Sequence, residues 1–432
     1  MIDIIQPFEP VYPFDLNQDL SDAAESYLPF VTVDEFPTAV DDIWMPTFMP
    51  IPNWANNVKL ACSWLTDVKR AKSLSEDRYS LLSKPYRTIS FASITRSQHE
   101  LRKVYNYIKR IAHARTVIPL YTDCSIITNV SGTKIYCDTS YRRFFADKYV
   151  VLVNPTNASF EIGIISSVEA EYIDLVQGAS SGITTGCKIY PLMIAHLNPM
   201  QSLGALTDIH TTFNLSFSEV EGRTALPVET TEYVGDLVFD LPYDWASVGV
   251  DNIRNITTTS SGRGTVIIAY GERSLNGFSL SFTFTSRSSA WDMINFHNHC
   301  RGRGKSFWFA SPLRVYDAQT INATYIVVKA VDEIIDWYYN PYVGVKHADG
   351  SYTFKELDLT TISRNAGYDT IYWKEIGGDF SDAKKITAAY KTRFGSDELG
   401  ETWINNNCMQ ANIELVDLLN EYDVDIEIES VI

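Results

Sequence analysis

Residues 87–97 read RTISFASITRS, and residues 278–288 read FSLSFTFTSRS. Both stretches alternate apolar and polar side chains, which is the pattern of a β-strand with one buried face. A segment with helical spacing follows each stretch, at 98–114 and at 289–300. The chain therefore contains one strand-to-helix pattern twice, and 191 residues separate position 87 from position 278.

Each helical segment is expected to pack on the strand before it through an apolar face. The alignment at this spacing makes Phe91 and Phe282 equivalent core positions beneath the two helices. It also pairs Arg96 with Arg287 at the corner between strand and helix. The residues predicted on the two helix faces are Leu101, Tyr105, Ile108 and Ile111 in the first segment, and, in a weaker pattern, Trp291, Ile294 and Asn298 in the second.

Later segments of the chain repeat in the same order. Their spacing drifts only from about 191 to 198 residues, which unrelated strands would not maintain. The matched segments are 149–167 with 342–359, 171–177 with 369–375, 184–197 with 381–394, and 210–220 with 409–419. We therefore predict a mainly β (α+β) fold of tandem duplicated β-sandwich units, each with one packing helix and an inserted small β-barrel-like module.

The repeat predicts where the chain divides. Residues 1–45 contain no Lys or Arg and no sustained period, so they are interpreted either as a disordered tail or as an arm that docks on a neighbouring subunit. The predicted segments are an acidic N-terminal arm (1–49), a first β unit (50–222) with its inserted module at about 123–197, a linker (223–242), a second β unit (243–420) with its inserted module at about 317–394, and an acidic C-terminal tail (421–432).

Composition narrows the possible partners. The chain has 432 residues and a formal net charge of −17, so we expect no specific binding to nucleic-acid phosphates. No window approaches 18 consecutive apolar residues and the first residues lack the pattern of a secretory signal, so no membrane span is expected. The six cysteines form no CxxC pair and are expected to be reduced and mostly buried, with two disulfides as the open alternative.

The sequence contains no recognisable active-site motif. The turns GRGT (262–265) and GRGK (302–305) lack the spacing of a phosphate-binding loop. The cluster HNHC (297–300) lies at a predicted helix end, where side chains two positions apart diverge, so it does not predict a metal site. No GxSxG motif occurs, and the histidines have no suggestive nucleophile nearby. We therefore expect no enzyme activity, no cofactor and no metal.

The segment CRGRGK (300–305) is a local cluster of cations in an acidic chain. One interpretation is a contact with the acidic surface of another subunit, for which Arg301, Arg303, Lys305 and Trp308 are the candidate residues. The other is a helix C-terminus, where cations face the negative end of the dipole and glycine supplies the left-handed cap. Both can hold together.

Two windows of the sequence resemble tail-tip proteins of long-tailed bacteriophages. Residues 302–317 read GRGKSFWFASPLRVYD, and residues 391–418 read KTRFGSDELGETWINNNCMQANIELVDL. In distal-tail and minor-tail proteins a helix is often followed by a Gly/Arg-rich turn and an aromatic strand, and an RF-x-SD motif precedes a Trp-containing returning strand. Here these motifs are Gly302, Arg303, Gly304, Phe307, Trp308 and Phe309, and Arg393, Phe394, Ser396 and Asp397. A third segment, 73–93, is similar to their Arg-rich first strand but has fewer arginines.

The resemblance implies a structural virion protein of the distal tail or baseplate, assembled in the host cytoplasm. Such proteins form a homo-oligomeric ring at the end of the tail tube, join it to the baseplate hub, and carry fibre or receptor-binding proteins. A hexamer is favoured from the resemblance, and a trimer with pseudo-sixfold symmetry is the alternative. The alternative function is a carbohydrate-binding or carbohydrate-cleaving protein that recognises the host surface, because exposed aromatic side chains can stack on sugars.

Overall fold

A computed structural model of the chain describes most of the two predicted units. The described residues are 43–44, 50–71, 75–112, 114–156, 159–199, 202–205, 210–220, 232–233, 235–244, 247–253, 256–261, 264–269, 275–330 and 340–418. Most of the predicted arm and the whole predicted tail lie outside these residues. None of the helices in these ranges has the length and apolar character needed to cross a membrane.

The described chain is mainly β, which confirms the predicted fold class. Through residue 222 it contains β1 (Ile43–Trp44), β2 (Val58–Ser63), β3 (Thr66–Arg70), β4 (Glu76–Ser80), β5 (Tyr86–Thr95), α1 (Gln98–Ile111), β6 (Arg115–Pro119), β7 (Ser125–Ile126), β8 (Asn129–Ser131), β9 (Lys134–Tyr136), β10 (Tyr149–Val153), β11 (Phe160–Val168), β12 (Tyr172–Leu175), β13 (Lys188–Leu197), β14 (Ser202–Ala205) and β15 (Thr211–Glu219).

The rest of the described chain repeats this order. It contains β16 (Glu232–Tyr233), β17 (Asp236–Phe239), β18 (Gly249–Ile253), β19 (Ile256–Ser261), β20 (Gly264–Ala269), β21 (Leu275–Phe284), α2 (Arg287–Cys300), β22 (Phe307–Tyr316), β23 (Ala318–Ile321), β24 (Tyr325–Lys329), β25 (Tyr342–Lys346), β26 (Tyr352–Asn365), β27 (Tyr368–Trp373), β28 (Lys385–Phe394), β29 (Glu398–Trp403) and β30 (Met409–Asp417).

The strand pairings repeat along with the order of the elements. In the main sheet, β2 pairs with β5, β5 with β15, β13 with β15 and β6 with β13. The corresponding ladders in the second unit are β18 with β21, β21 with β30, β28 with β30 and β22 with β28. Each unit also has a hairpin after its first strand, β3–β4 and β19–β20. In both copies the returning strand, β15 or β30, pairs with the strand before the helix, β5 or β21.

The helix caps align the two units differently from the alignment predicted for β5 and β21. Ser97 caps α1 and Ser286 caps α2, each through a hydrogen bond accepted from an amide of the first helical turn. Because these caps lie 189 positions apart, Phe91 corresponds to Leu280 and not to Phe282. A shift of two residues keeps each side chain on the same face of its strand, and Phe91 and Phe282 are both buried.

Each inserted module is a small closed barrel. In the first barrel (125–191), β13 pairs with β10, β10 with β11, β11 with β12, β12 with β9 and β9 with β8. The circle closes because β7, which precedes β8, pairs back with β13. The second barrel (315–388) has the same order through β28, β25, β26, β27, β24 and β23, and the end of β22 pairs back with β28.

The barrels and the main sheet share strands. β13 pairs with β10 over residues 188–191 and with β6 over residues 192–195, so its last residues, which the prediction placed in the inserted module, belong to the main sheet. Each barrel has an apolar core of its own, formed by residues between 127 and 189 and between 326 and 386.

Two short parallel strands lie in segments that the sequence analysis placed outside the units. β1, in the predicted arm, pairs in parallel with β6, and β17, in the predicted linker, pairs in parallel with β22. Strands of two and four residues are too short to show a period, which is why the alternation did not reveal them.

One central core is built from both units. It contains Leu60 and Phe91 from the first unit and Phe282, Phe307 and Phe394 from the second, and all five are buried. The two helices pack into this core.

The face that α1 turns toward the core differs from the predicted one by about one position. Val104, Tyr107 and Ile111 are its buried residues, whereas Tyr105 is 45% exposed. α2 is buried along more of its length, including Met293, Phe296 and Cys300. All six cysteines are free thiols.

Candidate assembly interface

The two units are joined by a strand ladder. β29 of the second unit pairs antiparallel with β2 of the first along six residue pairs, from Val58 opposite Trp403 to Ser63 opposite Glu398. β29 pairs with its own neighbour β30 only through Thr402 and Trp403. β29 therefore contributes more of its length to the first unit than to its own hairpin.

This ladder makes one continuous sheet out of both units. The order of strands across it is β18, β21, β30, β29, β2, β5, β15 and β14. β29 and β2 are the strands at which the units meet. The contact is head-to-tail, because the returning hairpin of one unit pairs with the first strand of the other.

A buried ion cluster lies beside the ladder. The Asp123 carboxylate accepts hydrogen bonds from Arg143 Nη1 at 3.1 Å and from Arg287 Nη2 at 2.9 Å. Arg143 Nη2 donates to both carboxylate oxygens of Glu401, at 2.8 and 3.0 Å, and Trp403 Nε1 donates to Glu401 at 2.9 Å. Two cations and two carboxylates are thus paired, with Asp123 and Arg143 from the first unit and Arg287 and Glu401 from the second.

Burial alone would raise the pKa of the Asp123 carboxyl. The guanidinium groups of Arg143 and Arg287 outweigh this effect and lower the pKa to about 2. Burial alone would lower the pKa of Arg143, but the carboxylates of Glu401 and Asp123 outweigh this effect and raise it. Asp123 and Arg143 therefore stay charged at neutral pH, although both side chains are buried.

Arg287 also binds three backbone carbonyls around this cluster. It donates to the backbone carbonyls of Thr122 at 2.6 Å, Tyr141 at 3.0 Å and Asn406 at 2.5 Å. Its guanidinium lies 4.9 Å from the ring centroid of Trp403, within range of a cation–π contact. The residue predicted to be equivalent, Arg96, is exposed, so only Arg287 has this connecting role.

The β3–β4 hairpin of the first unit adds a second buried ion pair. Glu76 binds Arg393 of β28 in a two-fold contact, with Nη2 at 2.9 Å from Oε2, and Arg70 Nη2 lies at 3.0 Å from the same oxygen. Burial would raise the pKa of Glu76, but the two arginines outweigh it and lower the pKa. The hairpin is thus fixed to the second unit by charge.

Asp397 connects the same hairpin to the turn after α2. Arg303 Nη2 donates to Asp397 Oδ2 and to the carbonyl of Thr66, both at 2.9 Å, and the Thr66 amide donates to Asp397 at 2.8 Å. Gly302 has a φ of +60°, and a Cβ there would lie 2.8 Å from Asp397 Cα, so only glycine fits. α2 itself contacts the first unit, since Asn298 Oδ1 accepts from Trp64 Nε1 at 3.3 Å.

The four predicted contact residues have different fates. Arg303 contacts the other unit of the same chain, as described above. Arg301 is exposed and is the left-handed C-cap of α2, and Lys305 is exposed with its Nζ 3.3 Å from a ring nitrogen of His299. Trp308 is only 3% exposed, contrary to the expectation of a surface contact, because its strand turns the indole inward against Tyr342 and Phe354 of the second barrel. A subunit contact by Arg301 and Lys305 stays a prediction.

The strands that correspond to β29 and β2 lie at the two ends of the sheet. β14 has in the first unit the position that β29 has in the second, and β18 corresponds to β2. Among the described strands, β14 pairs only with β15 and β18 only with β21. Both ends of the sheet therefore present the kind of edge that is paired at the junction.

A polar cleft of about 1090 Å³ lies over β21, β29 and β30. Its charged lining residues are Asp244, Glu398 and Glu414, and serine, threonine, asparagine and glutamine side chains make up much of the rest. His297 of α2 is also one of the residues that line the cleft. His297 is 1% exposed, and neither ring nitrogen has a hydrogen-bond partner within the part of the chain that the structure describes.

The side chains of the HNHC cluster (297–300) lie in different surroundings. His297 and Cys300 are buried in the core, while His299 points toward Lys305. Within the described ranges, no group of three or more His, Cys, Asp or Glu side chains lies close enough to hold a metal ion.

No family model matches the chain, and no curated protein matches it. The binding domain of botulinum neurotoxin serotype C1 aligns at 8% identity over 84% of this chain and 90% of its own, with a TM-score of 0.10. The N-terminal CBM22-1-CBM22-2 tandem domain of Xyn10C from Paenibacillus barcinonensis aligns at 8% identity over 82% and 93%, also with a TM-score of 0.10. At this TM-score neither likeness supports an inference about fold or function.

Sequence patterns placed Arg287 at the corner before α2 but paired it with no acidic residue. Asp123, Arg143 and Glu401 are far apart in the chain, and each resembles an ordinary surface charge when it is read alone. The one usable signal was Glu401 and Trp403 at alternate positions of a predicted strand, which places a carboxylate on the same face as a large apolar ring.

Proposed function

We propose that this chain is a structural virion protein of a bacteriophage tail tip. In this proposal it forms a ring at the distal end of the tail tube, joins the tube to the baseplate hub, and carries fibre or receptor-binding proteins. The observation that carries the proposal is the head-to-tail ladder between β2 and β29, which joins two copies of one unit side by side in a single sheet.

A head-to-tail contact repeats until it closes a ring or extends as a filament. The junction in this chain uses one end of each unit, and the opposite ends carry the corresponding strands β14 and β18. Exposed strand edges are normally covered, so two complementary edges on one chain favour pairing with further copies. A ring is the closed form of that pairing, and it supplies the tail-tip geometry that the sequence resemblance implies.

The two barrels suit the outer part of such a ring. Each joins the main sheet through a shared strand, β13 or β28, and folds around its own core, so its surface can vary without disturbing the strands that join the units. We assign the contacts with fibre or receptor-binding proteins to the barrels and the ring contacts to the main sheet. The acidic chain also fits a ring through which DNA passes without binding.

The test combines particle mass and location. Mass photometry of the purified chain should give a discrete particle at a small multiple of the 48.8 kDa chain mass, and negative-stain images should show rings. Gold-labelled antibody should bind virions at the distal end of the tail. A protein that stays monomeric at micromolar concentration and labels no part of the virion would overturn the proposal.

The polar cleft favours a second candidate, a carbohydrate-binding protein. Carboxylate, amide and hydroxyl groups line it and could hydrogen-bond a sugar, although its two phenylalanines, Phe282 and Phe394, are buried and offer no face for stacking. A glycan array measures this directly. Specific binding that is lost in Glu414→Ala and retained in Glu356→Ala, which lies in the second barrel, would support the second candidate, and an array without specific binding would remove it.

A further inference from the structure

We propose that β14 of one copy pairs antiparallel with β18 of the next copy, with Gly204 opposite Gly249, and that three copies close a ring in this way. The inference rests on the proposed function and deepens it, because it names the partner as a second copy of this chain and gives the register of the contact.

The first half of the register follows from the β2 side of the junction. Lys59 pairs with Ser90 in the β2·β5 ladder, and Gly249 pairs with Ser279 in the β18·β21 ladder. Ser90 and Ser279 are equivalent, since the capped helices after β5 and β21 lie 189 positions apart. Gly249 is therefore the counterpart of Lys59.

The second half follows from the β29 side. β15 and β30 are equivalent strands of nine residues, beginning at positions 211 and 409. At this spacing Gly204 has in the β14·β15 ladder the position that Thr402 has in the β29·β30 ladder. Since Lys59 pairs with Thr402 within the chain, Gly249 is expected opposite Gly204 between copies.

The hairpins that follow the first strands extend the same contact. Within the chain, the β3–β4 hairpin after β2 reaches the second unit through Thr66 and Glu76. The β19–β20 hairpin follows β18 in the same way. We expect it to lie over the first unit of the neighbouring copy, near the end of α1, where the chain has the counterpart of the turn after α2.

A second copy fits these edges better than an unrelated partner. β14 and β18 are the counterparts of two strands that already pair in this fold, so the required twist and spacing are present in each unit. Every chain also presents one edge of each kind, which lets the contact repeat. Each copy fills two positions of the ring, so a ring of six unit positions needs three chains and not the six favoured from the resemblance.

Cysteine pairs test the register in the full-length chain. Residues directly opposite each other in an antiparallel ladder have Cα atoms about 4.5–5.5 Å apart, within the range of a disulfide. Gly204→Cys with Gly249→Cys is the test pair, and both sites have room for a side chain and no positive φ. The background carries Cys408→Ser, because Cys408 is the one cysteine that is not buried.

Oxidised glutathione accepts the electrons of the thiol pairs, and non-reducing electrophoresis reads the products. We expect covalent dimers and trimers from the test pair, with the trimer as the largest major product, and none from either single variant. The matched positive control is Lys59→Cys with Thr402→Cys, the equivalent pair within one chain, which should give an intramolecular disulfide that changes mobility without dimers. The register control, Gly204→Cys with Val250→Cys, should cross-link much more slowly.

Hydrogen exchange on the unmodified chain gives an independent measurement. Backbone amides of 202–205 and 249–253 should exchange at least tenfold more slowly in the assembled particle than in dilute monomer. Particles with the mass of a ring that show neither cross-links nor slower hydrogen exchange would overturn this interface and leave the proposed function standing. A monomer under all conditions would overturn this interface, and a monomer that also labels no part of the virion would overturn the proposed function as well. A largest product of six chains would overturn the three-copy ring.

Discussion

The four buried charged side chains at the junction, Asp123, Arg143, Arg287 and Glu401, form one connected network. The carboxylate oxygens of Asp123 and Glu401 accept hydrogen bonds from guanidinium or indole groups. These directional contacts offset the cost of removing the charges from water. An arrangement of this kind favours one relative placement of the two units, because any other leaves a charge buried alone. The cluster therefore specifies which strands meet.

Removing Arg143 should be among the most destabilising single changes in the chain. In Arg143→Met, Glu401 keeps only the Trp403 donor and Asp123 keeps Arg287, so the free energy of unfolding should fall by about 3–5 kcal/mol. Urea denaturation measures it. Lys374→Met at the exposed Lys374–Glu356 pair should cost about 1 kcal/mol or less. Similar values for the two variants would show that the cluster contributes little.

His297 should make the chain less stable in weak acid. Burial lowers its pKa from 6.5 to about 4, so the unfolded chain binds the proton more readily than the folded one. This contribution is complete above pH ~6.5 and is lost as pH falls toward ~4, in total about 3 kcal/mol. His297→Phe should flatten the dependence of unfolding free energy on pH in that window, as measured by urea denaturation, whereas His99→Phe at an exposed site should not. Equal slopes in the wild type and His297→Phe would contradict the prediction.

At the scale of elements, the sequence predicted type and order better than register. Alternation identified β5 and β21 because one face of each is buried, but a period of two cannot distinguish an alignment from one shifted by two. The shared TRS and SRS letters favoured the wrong choice, whereas the Ser97 and Ser286 caps define the right one. The face of α1 was misplaced because Tyr105 and Tyr107 both suit an apolar face, and only tertiary packing decides between them.

Phe91 and Phe282 should both be costly to truncate, although they are not equivalent positions. Phe91 packs against Tyr121 and Phe217, and Phe282 packs against Phe239 and Phe284. Each change to Ala leaves a cavity in the shared core and should cost about 3–5 kcal/mol in urea denaturation.

Ile94→Ala in β5, at a side chain 38% exposed, is the matched control and should cost clearly less. A cost near 1 kcal/mol for either phenylalanine would mean that the core closes around the gap.

At the scale of the whole molecule, the duplication was readable because both copies kept the order of their segments. The junction was not, since β29 looks like one arm of a local hairpin and nothing in its letters directs it to β2. Pairing between distant strands depends on how two folded units meet, which no local period encodes. The counterpart β14 was equally invisible, and its importance follows only from the ladder that β29 forms.

The two barrels should differ in what their removal does to assembly. Tyr316 lies opposite Ile386, and Ile126 lies opposite Lys188, so an Asn-Gly turn can replace residues 317–385 or residues 127–187 in a two-residue hairpin. Deletion of residues 127–187 removes Arg143 and breaks the ion cluster at the junction. Deletion of residues 317–385 leaves that cluster intact.

We therefore expect the chain without residues 317–385 to assemble into rings of the wild-type copy number, with the mass per copy reduced. Trp308→Thr accompanies this deletion, because loss of Tyr342 and Phe354 would expose the indole. The chain without residues 127–187 should unfold at lower urea concentration and assemble poorly, for the reason that Arg143→Met is destabilising. Mass photometry and urea denaturation of the two deletions, side by side, measure the difference. If the chain without residues 317–385 forms no rings but still unfolds cooperatively, the second barrel itself makes the ring contact.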